Sequence, residues 1–248
     1  MSTGFKGTVV HSPTSRAEGY TYRARMGMMP AAEFCVLHDD FVGAVTTGVP
    51  VGWTAAIVDT GGTVTTNTTA TIGANGVLTF ADATASEGAA IYGAKSIQLI
   101  PGKKFFMEMR FRTDDVTDNN VVFGLSDLTS VTNPEDLWTT ASANLVAFGL
   151  GDGDSNPKML CDKGNTGTTY QTQTTKGCSV DTWHTLGIGF DGTKVHGFVD
   201  GDYVMTWGSA DTTIPTATAL APFVGHINGN GAGGNLVIVD YIRIVSER

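Results

Sequence analysis

The sequence has few charged residues and no long apolar run. Asp, Glu, Lys and Arg make up 16% of its 248 residues, against about 25% in a typical soluble domain. No stretch approaches the roughly 18 consecutive apolar residues of a membrane-spanning helix. The opening residues lack the apolar segment of a secretion signal. We therefore expect a protein that is made in the cytoplasm, is not secreted and has no membrane partner.

Cysteine and positive charge are also scarce. The three cysteines, Cys35, Cys161 and Cys178, form no C-x-x-C pair, and reduced thiols in the core are expected. The net charge is −9 and the isoelectric point is near 4.8. Nucleic-acid binding needs a basic surface that replaces counterions, so a nucleic-acid partner is not expected.

Signatures of the common nucleophiles and metalloenzymes are missing. The sequence contains no G-x-S-x-G and no H-E-x-x-H. It has six glutamates, and none stands two to four residues from another: Glu18, Glu33, Glu87, Glu108, Glu135 and Glu247. A glycosidase needs two carboxyls at a close, fixed spacing, so we expect no catalytic residues and no enzyme activity. For Glu108, an ion pair with an arginine across two strands is the favoured role.

What the sequence does contain is glycine and alternating strands. Glycine supplies 32 residues, nearly twice the usual share of about 7%. Residues 104–113 alternate apolar and polar side chains, and 183–206 carry Asp-Gly pairs at 191–192 and 200–201, the strongest short hairpin signal. The apolar run 236–245 predicts a central strand. These patterns predict an all-β protein, a two-sheet antiparallel sandwich with a dozen or more strands.

Shorter strands and one helical turn are predicted between these segments. Asn133, Pro134 and Glu135 favour a single helical turn over 133–138. The shorter strand candidates are 35–42, 51–58, 77–81, 88–92, 96–100, 121–126, 143–150, 157–161, 168–173 and 219–227.

The first 33 residues differ from the rest of the chain. They hold four basic and two acidic residues, a net +2, whereas the remainder holds 11 basic and 22 acidic residues, a net −11. They show no strand or helix period. We predict an extended N-terminal arm over 1–33 that docks on a partner, with a mobile tail or a first strand as alternatives. The residues expected to make the contact are Arg16, Tyr20, Tyr22, Arg23, Arg25, Met26, Met28 and Met29.

Three segments resemble the concanavalin A-like (laminin G, lectin and glucanase) jelly-roll superfamily. HDDFVG at 38–43 followed by Trp53 resembles its opening strand, WHTLGIGFDGTKVHGFVDG at 183–201 its meander, and LVIVDYIRIV at 236–245 its closing strand. The resemblance implies a jelly-roll domain over 34–248. The glutamate pattern of the superfamily's glucanases is missing.

A narrower resemblance is to structural proteins of tailed bacteriophages, which often begin such a domain with DDF and contain a strand like Val121–Asp127. Among them, capsid decoration proteins and head fibres grip the shell through a short arm. This resemblance implies a virion structural protein on the capsid surface, made in the host cytoplasm. Its partners would be the major capsid protein or other virion proteins, with self-association as a further option. The alternative function is a lectin-like module that binds glycans, and a glycoside hydrolase with a degenerate site is a further, less favoured alternative.

Metal and sugar sites are secondary candidates. No cofactor is required, but a structural calcium ion is an alternative at Asp39 and Asp40 or in the loop of Asp152 and Asp154, where oxygen ligands alternate. The turn of Asp114, Asp115 and Asp118 offers a similar acidic loop, with a plain polar turn favoured. Trp138 is the tryptophan most expected to be exposed as a sugar platform. His184 and His196 lie on adjacent strands, but two ligands are too few for zinc.

Overall fold

A computed structural model describes residues 34–39, 41, 50, 52–58, 63–67, 77–81, 88–127, 144–151, 153–164, 170–172, 175–208, 213–228 and 236–247. These ranges contain fifteen strands and no helix. The first eight are β1 (Phe34–Asp39), β2 (Thr54–Val58), β3 (Thr63–Asn67), β4 (Val77–Ala81), β5 (Gly88–Tyr92), β6 (Phe105–Thr113), β7 (Asn119–Ser126) and β8 (Leu145–Gly151). The others are β9 (Asp154–Asp162), β10 (Tyr170–Thr172), β11 (His184–Phe190), β12 (Val195–Val199), β13 (Asp202–Trp207), β14 (Ala221–Asn228) and β15 (Leu236–Glu247). Within the same ranges no helix is long and apolar enough to cross a membrane.

The described strands form two antiparallel sheets. The eight-stranded sheet has the order β13-β12-β11-β6-β15-β4-β3, and the seven-stranded sheet has the order β10-β9-β8-β7-β14-β5-β2. β1 is the eighth strand of the first sheet and pairs with the second half of β15, while β4 pairs with its first half. Strands far apart in sequence, such as β6 and β15 or β7 and β14, are neighbours. The predicted two-sheet jelly-roll sandwich is confirmed.

The core lies between the two sheets. On β6, the side chains of Phe105, Met107, Met109 and Phe111 are at most 2% exposed, as their alternation predicts. They face residues of the other sheet such as Phe148 in one hydrophobic cluster. Burying such apolar area is the main source of stability in a sandwich of this size.

The opposite face of β6 is partly buried and partly exposed to solvent. Phe106 and Glu108 are both 3% exposed, whereas Arg110 and Arg112 remain half-exposed. Phe106 packs edge-to-face on Phe198 of β12, with ring centroids 5.9 Å apart. The eight-stranded sheet therefore has a second, smaller apolar cluster on its outer face.

The meander predicted over 183–206 is present as β11, β12 and β13. Asp200 and Gly201 have φ of 51° and 82° and form a two-residue turn between β12 and β13, as the Asp-Gly pair predicts. The other pair lies in a four-residue loop between β11 and β12. There the carboxylate of Asp191 accepts hydrogen bonds from the backbone N–H groups of Thr193 and Lys194, at 2.7 and 2.8 Å.

Glycines bring β7 and β8 very close together. A Cβ atom at Gly149 would overlap the carbonyl oxygen of Val121 and lie 2.8 Å from the Cα of Val122. A Cβ at Gly124 would likewise overlap the carbonyl oxygen of Val146. Neither position can carry a side chain unless the backbones separate.

A buried polar chain closes one end of the core. Asn119 donates from Nδ2 to the hydroxyl of Thr113 at 2.7 Å and to the carboxylate of Asp114 at 3.3 Å. Its Oδ1 therefore accepts from Nε2 of His226, 2.7 Å away, and this assigns the histidine proton to Nε2. Burial lowers the pKa of His226 to about 3, so the ring is neutral at physiological pH.

One strand prediction was wrong and one strand was not predicted. Residues 96–100 form no strand, and Ile97 makes only an isolated bridge with Leu220. β3 was not predicted, because its sequence, TVTTN, has a single apolar residue. The helical turn predicted at 133–138 lies outside the described residues.

Candidate functional site

The opening motif D-D-F…W forms a structural clamp through its first aspartate, Asp39. The two carboxylate oxygens of Asp39 accept hydrogen bonds from the backbone N–H of Phe41 and from Nε1 of Trp53, at 2.9 and 2.8 Å. Phe41 is 1% exposed with a φ of 57°, and Trp53 packs against the core. Asp40 lies outside the described residues. The metal role suggested for this aspartate pair stays a prediction.

The second acidic loop uses its described carboxylate to shape a turn. Asp154 accepts a hydrogen bond from the backbone N–H of Asn156 at 2.8 Å, and Asp152 is outside the described residues. The loop touches the turn that contains Asp115, because Gly153 N–H donates to the carbonyl of Thr117 at 2.7 Å. Within the described ranges, no group of three or more His, Cys, Asp or Glu side chains is placed to hold a metal ion.

The carboxylate of Asp115 organises its own turn. It accepts hydrogen bonds from the backbone N–H groups of Thr117 and Asp118, at 2.7 and 2.9 Å, and from the Thr117 hydroxyl. Partial burial would raise its pKa, but these donors outweigh burial and lower it. These hydrogen bonds stabilise a polar turn, and the calcium alternative for this loop stays a prediction.

The arm residues and the suggested sugar platform are not among the described residues. These are Arg16, Tyr20, Tyr22, Arg23, Arg25, Met26, Met28 and Met29 for the arm, and Trp138 for the platform. Their roles stay predictions.

The two histidines of the meander do not face each other. His196 lies opposite Gly189 on β11 and contacts the hydroxyl of Thr206 and the carboxylate of Asp191, at 2.8 and 2.9 Å. His184 is at the other end of the meander and is 7% exposed. The structure therefore rules out a zinc site made by this pair.

His184 belongs to a clamp around Asp200. Its Nε2 accepts the backbone N–H of Ser179 at 2.9 Å, and its Nδ1 therefore donates to Asp200 at 3.0 Å. The ammonium of Lys176 lies 3.4 Å from the same carboxylate and 3.1 Å from that of Asp202. Burial would raise the pKa of Asp200, but these partners outweigh it and lower the value to about 2.

This clamp is not a catalytic triad, although Cys178 is close in sequence. Burial raises the pKa of the Cys178 thiol to about 12, and a nucleophilic cysteine needs a lowered pKa. Both ring nitrogens of His184 are already occupied. The clamp fastens the segment before β11 to the turn between β12 and β13.

Glu108 forms the predicted ion pair across two strands. It lies directly opposite Arg243 on β15, with Nη1 4.0 Å from Oε1. The hydroxyl of Tyr241 donates to the same oxygen at 3.3 Å. A buried carboxylate that is paired in this way helps to hold β6 and β15 together.

Glu108 is part of a larger surface that the sequence did not reveal. Between residues 34 and 247 the chain has three arginines, and all lie on the outer face of β6 and β15: Arg110, Arg112 and Arg243. We call this surface, together with Trp183, Tyr241, Asp240 and Glu108, the arginine face. The alternation of arginines on β6 was visible in the sequence, but the position of β15 beside it was not.

A β-bulge shapes the centre of the arginine face. The pairing of β15 with β6 shifts register between Val239 and Tyr241, and the extra residue, Asp240, binds Arg110 at 2.7 Å. The guanidinium carbon of Arg110 also lies 4.7 Å from the ring centroid of Trp183, within the range of a cation–π contact. Bulges of this kind re-aim side chains.

Comparison with known proteins shows which fold this is. The carbohydrate recognition domain of Emp47p superposes with a TM-score of 0.60 at 13% identity, over 89% of this chain and 100% of that one. The catalytic domain of a laminarinase from Thermotoga petrophila gives 0.54 at 13% identity, over 87% and 99%. The chain has the concanavalin A-like jelly-roll fold.

A third structural match comes from a bacteriophage. The carbohydrate esterase vb_24B_21 of phage phi24B superposes with a TM-score of 0.53 at 17% identity, over 79% of this chain and 91% of that one. No protein-family model and no curated protein sequence matches the chain. At these identities the likeness shows the fold alone, since lectins and glycosidases share it.

Proposed function

We propose that the chain is a non-enzymatic virion structural protein that decorates a phage shell and binds it through residues 1–33. The observation that carries this proposal is the contrast in charge and pattern between the two parts of the chain. The first 33 residues have a net charge of +2 and the rest a net charge of −11. Arginine and tyrosine, which recur in the first part, are enriched at interface hot spots.

The non-enzymatic part of the proposal is supported by the carboxylates. A retaining glycosidase needs one carboxyl as a nucleophile and a second as a proton donor, about 5–5.5 Å apart. Glu108 is compensated by Arg243, and Asp240 by Arg110. Release of reducing sugar from a β-glucan, lost in Glu108→Gln, would contradict this part.

An arm suits attachment to a shell on physical grounds. A segment that orders on binding loses conformational entropy but covers a large area for its size. A capsid presents many equivalent sites, so several linked copies gain avidity. Self-association of the decoration protein would add to this effect.

The test is co-sedimentation of purified protein with shells of the parent phage that lack it. The full chain should pellet with the shells. A chain with Arg16, Arg23 and Arg25 changed to Glu should stay in the supernatant, because the contact loses three positive charges. The matched control changes Lys103, Lys104 and Lys194 of the body to Glu and should still pellet. Binding that is unaffected by the arm variant would refute the proposal.

A second candidate function is glycan recognition, favoured by the carbohydrate recognition domain among the structural matches. It predicts binding to defined oligosaccharides on an array. Running the array with calcium and with a chelator separates a metal-dependent site from a metal-free one. Arrays without signal in both conditions would exclude this candidate.

A further inference from the structure

The arginine face is partly open to solvent. The side chains of Arg110, Arg112 and Arg243 are 41%, 38% and 29% exposed. Trp183 and Tyr241 are half-buried beside them. Aromatic residues and arginines are the residue types that binding surfaces favour.

The charges on this face are compensated within the face. Arg110 is 2.7 Å from Asp240, and Arg243 is 4.0 Å from Glu108. Arg112 is 3.9 Å from Asp181. A phosphate polymer or an acidic protein would gain most from uncompensated arginines. The pairing therefore favours a ligand without charge.

The paired groups still offer hydrogen bonds. A guanidinium carries five N–H donors and a carboxylate about four acceptor sites, so one contact between Arg110 and Asp240 leaves several directions for a ligand. Hydrogen-bond donors of Arg110 therefore lie next to acceptors of Asp240. A sugar hydroxyl both donates and accepts, and it matches such a surface better than a purely anionic or apolar group.

The aromatic rings supply the apolar part of such a site. The guanidinium of Arg110 lies over the ring of Trp183, and Tyr241 is held by its hydroxyl contact with Glu108. Rings of this kind combine apolar surface with a polar atom. They can pack on the C–H groups of a sugar ring while the neighbouring polar pairs bind its hydroxyls.

The face is also rigid. Its residues lie on β6 and β15, which pair over nine positions in the middle of the sheet, and at the start of β11. A site on strands is held more precisely than a site on loops, and a preorganised site loses less free energy on binding.

We propose that the arginine face binds an uncharged oligosaccharide. Arg110 and Asp240 hydrogen-bond its hydroxyls, Trp183 and Tyr241 pack against its ring, and Arg112 extends the contact. The inference rests on the glycan-recognition candidate and names its site. It does not depend on attachment to a shell.

The test is native gel electrophoresis of the full chain in gels that contain laminarin, mannan or galactan, with polygalacturonate as the charged counterpart. At least one neutral polysaccharide should retard the wild type. The Arg110→Gln/Asp240→Asn variant keeps the net charge, and its apparent Kd should be at least tenfold weaker. The control Lys95→Gln/Asp118→Asn makes the same charge change elsewhere and should bind like the wild type.

Folding of each variant is checked by thermal unfolding. If the double variant does not fold, Arg112→Gln replaces it, because Arg112 is exposed and its ion pair is long; a loss of threefold or more is expected. Retardation of the variant equal to that of the wild type would place the glycan site elsewhere. A wild type that no neutral polysaccharide retards would overturn the site and the glycan candidate together. Retardation by polygalacturonate alone, abolished by salt, would identify an anion site and contradict the proposal.

Discussion

Nε1 of Trp53 donates a hydrogen bond to Oδ2 of Asp39 at 2.8 Å, and this contact fastens the end of β1 to the start of β2. A hydrogen bond thus links the first aspartate and the tryptophan of the D-D-F…W pattern, which resembles the opening of a concanavalin A-like domain. The other oxygen of Asp39 fixes the backbone of Phe41.

Removing this hydrogen bond should destabilise the domain. Trp53→Phe keeps an aromatic ring, although a smaller one, and removes a donor from a carboxylate. We therefore expect a loss of about 1–3 kcal/mol in the free energy of unfolding, measured by urea denaturation. Trp207→Phe is the matched control, because within the described part of the chain Nε1 of Trp207 is buried without a hydrogen-bond partner. Equal losses in the two variants would show that ring volume, not the hydrogen bond, matters.

Stability should depend on pH through His226. Its folded pKa of about 3 lies below the ordinary histidine pKa of 6.5, so the unfolded chain binds more protons between these values. The free energy of unfolding should then fall as pH decreases from 6.5, by up to about 1.4 kcal/mol per pH unit. His226→Gln, which keeps a donor toward Asn119, should flatten the curve between pH 4.5 and 6.5. A slope that the variant leaves unchanged would point to other groups.

Cys161 and Cys178 should be inert in the folded protein. Cys161 and Cys178 are free thiols, 3% and 6% exposed, and burial raises the pKa of both. In a Cys35→Ser background, a thiol reagent such as DTNB should modify neither within minutes at pH 8 and both after addition of urea. Rapid modification of the native protein would show that one of these thiols is accessible.

Replacing two glycines of β8 by alanine should reduce stability by different amounts, because only one of them lies against the backbone of β7. Gly149→Ala would push the backbones of β7 and β8 apart and should cost about 1–3 kcal/mol. Gly151→Ala meets only the flexible side chain of Lys158, which can move aside, and should cost clearly less. Urea denaturation of both variants gives the comparison. A Gly149→Ala protein as stable as Gly151→Ala would mean that the strands can separate freely.

The sequence predicted the fold well where local signals and tertiary structure agree. The strands at 77–81 and 88–92 have the predicted bounds, and the Asp-Gly pairs located the meander. The segment 96–100 was wrongly predicted as a strand because it contains three aliphatic residues. Of these side chains only Leu99 is buried, while Ile100 is 43% exposed. Hydrophobicity alone cannot tell a strand from an extended loop that packs one side chain on the core.

The candidate site was harder to predict, because its parts are distant in sequence. Arg110 and Asp240 are 130 positions apart, and a bulge in β15 brings them together. For Glu108, the ion pair across two strands was predicted and is confirmed, but identifying Arg243 required the register of β6 and β15. Such registers follow from the assembled sheet and not from a local pattern.

The pairing of Phe34 with Glu247 has a practical consequence. Paired Cα atoms in an antiparallel ladder are only about 5 Å apart, so the first and the last residue of the described strands lie side by side. A surface loop of an unrelated host protein could accept the module as an insert with little distortion. Joining these two positions by a short peptide would equally allow circularly permuted versions that open at a new place.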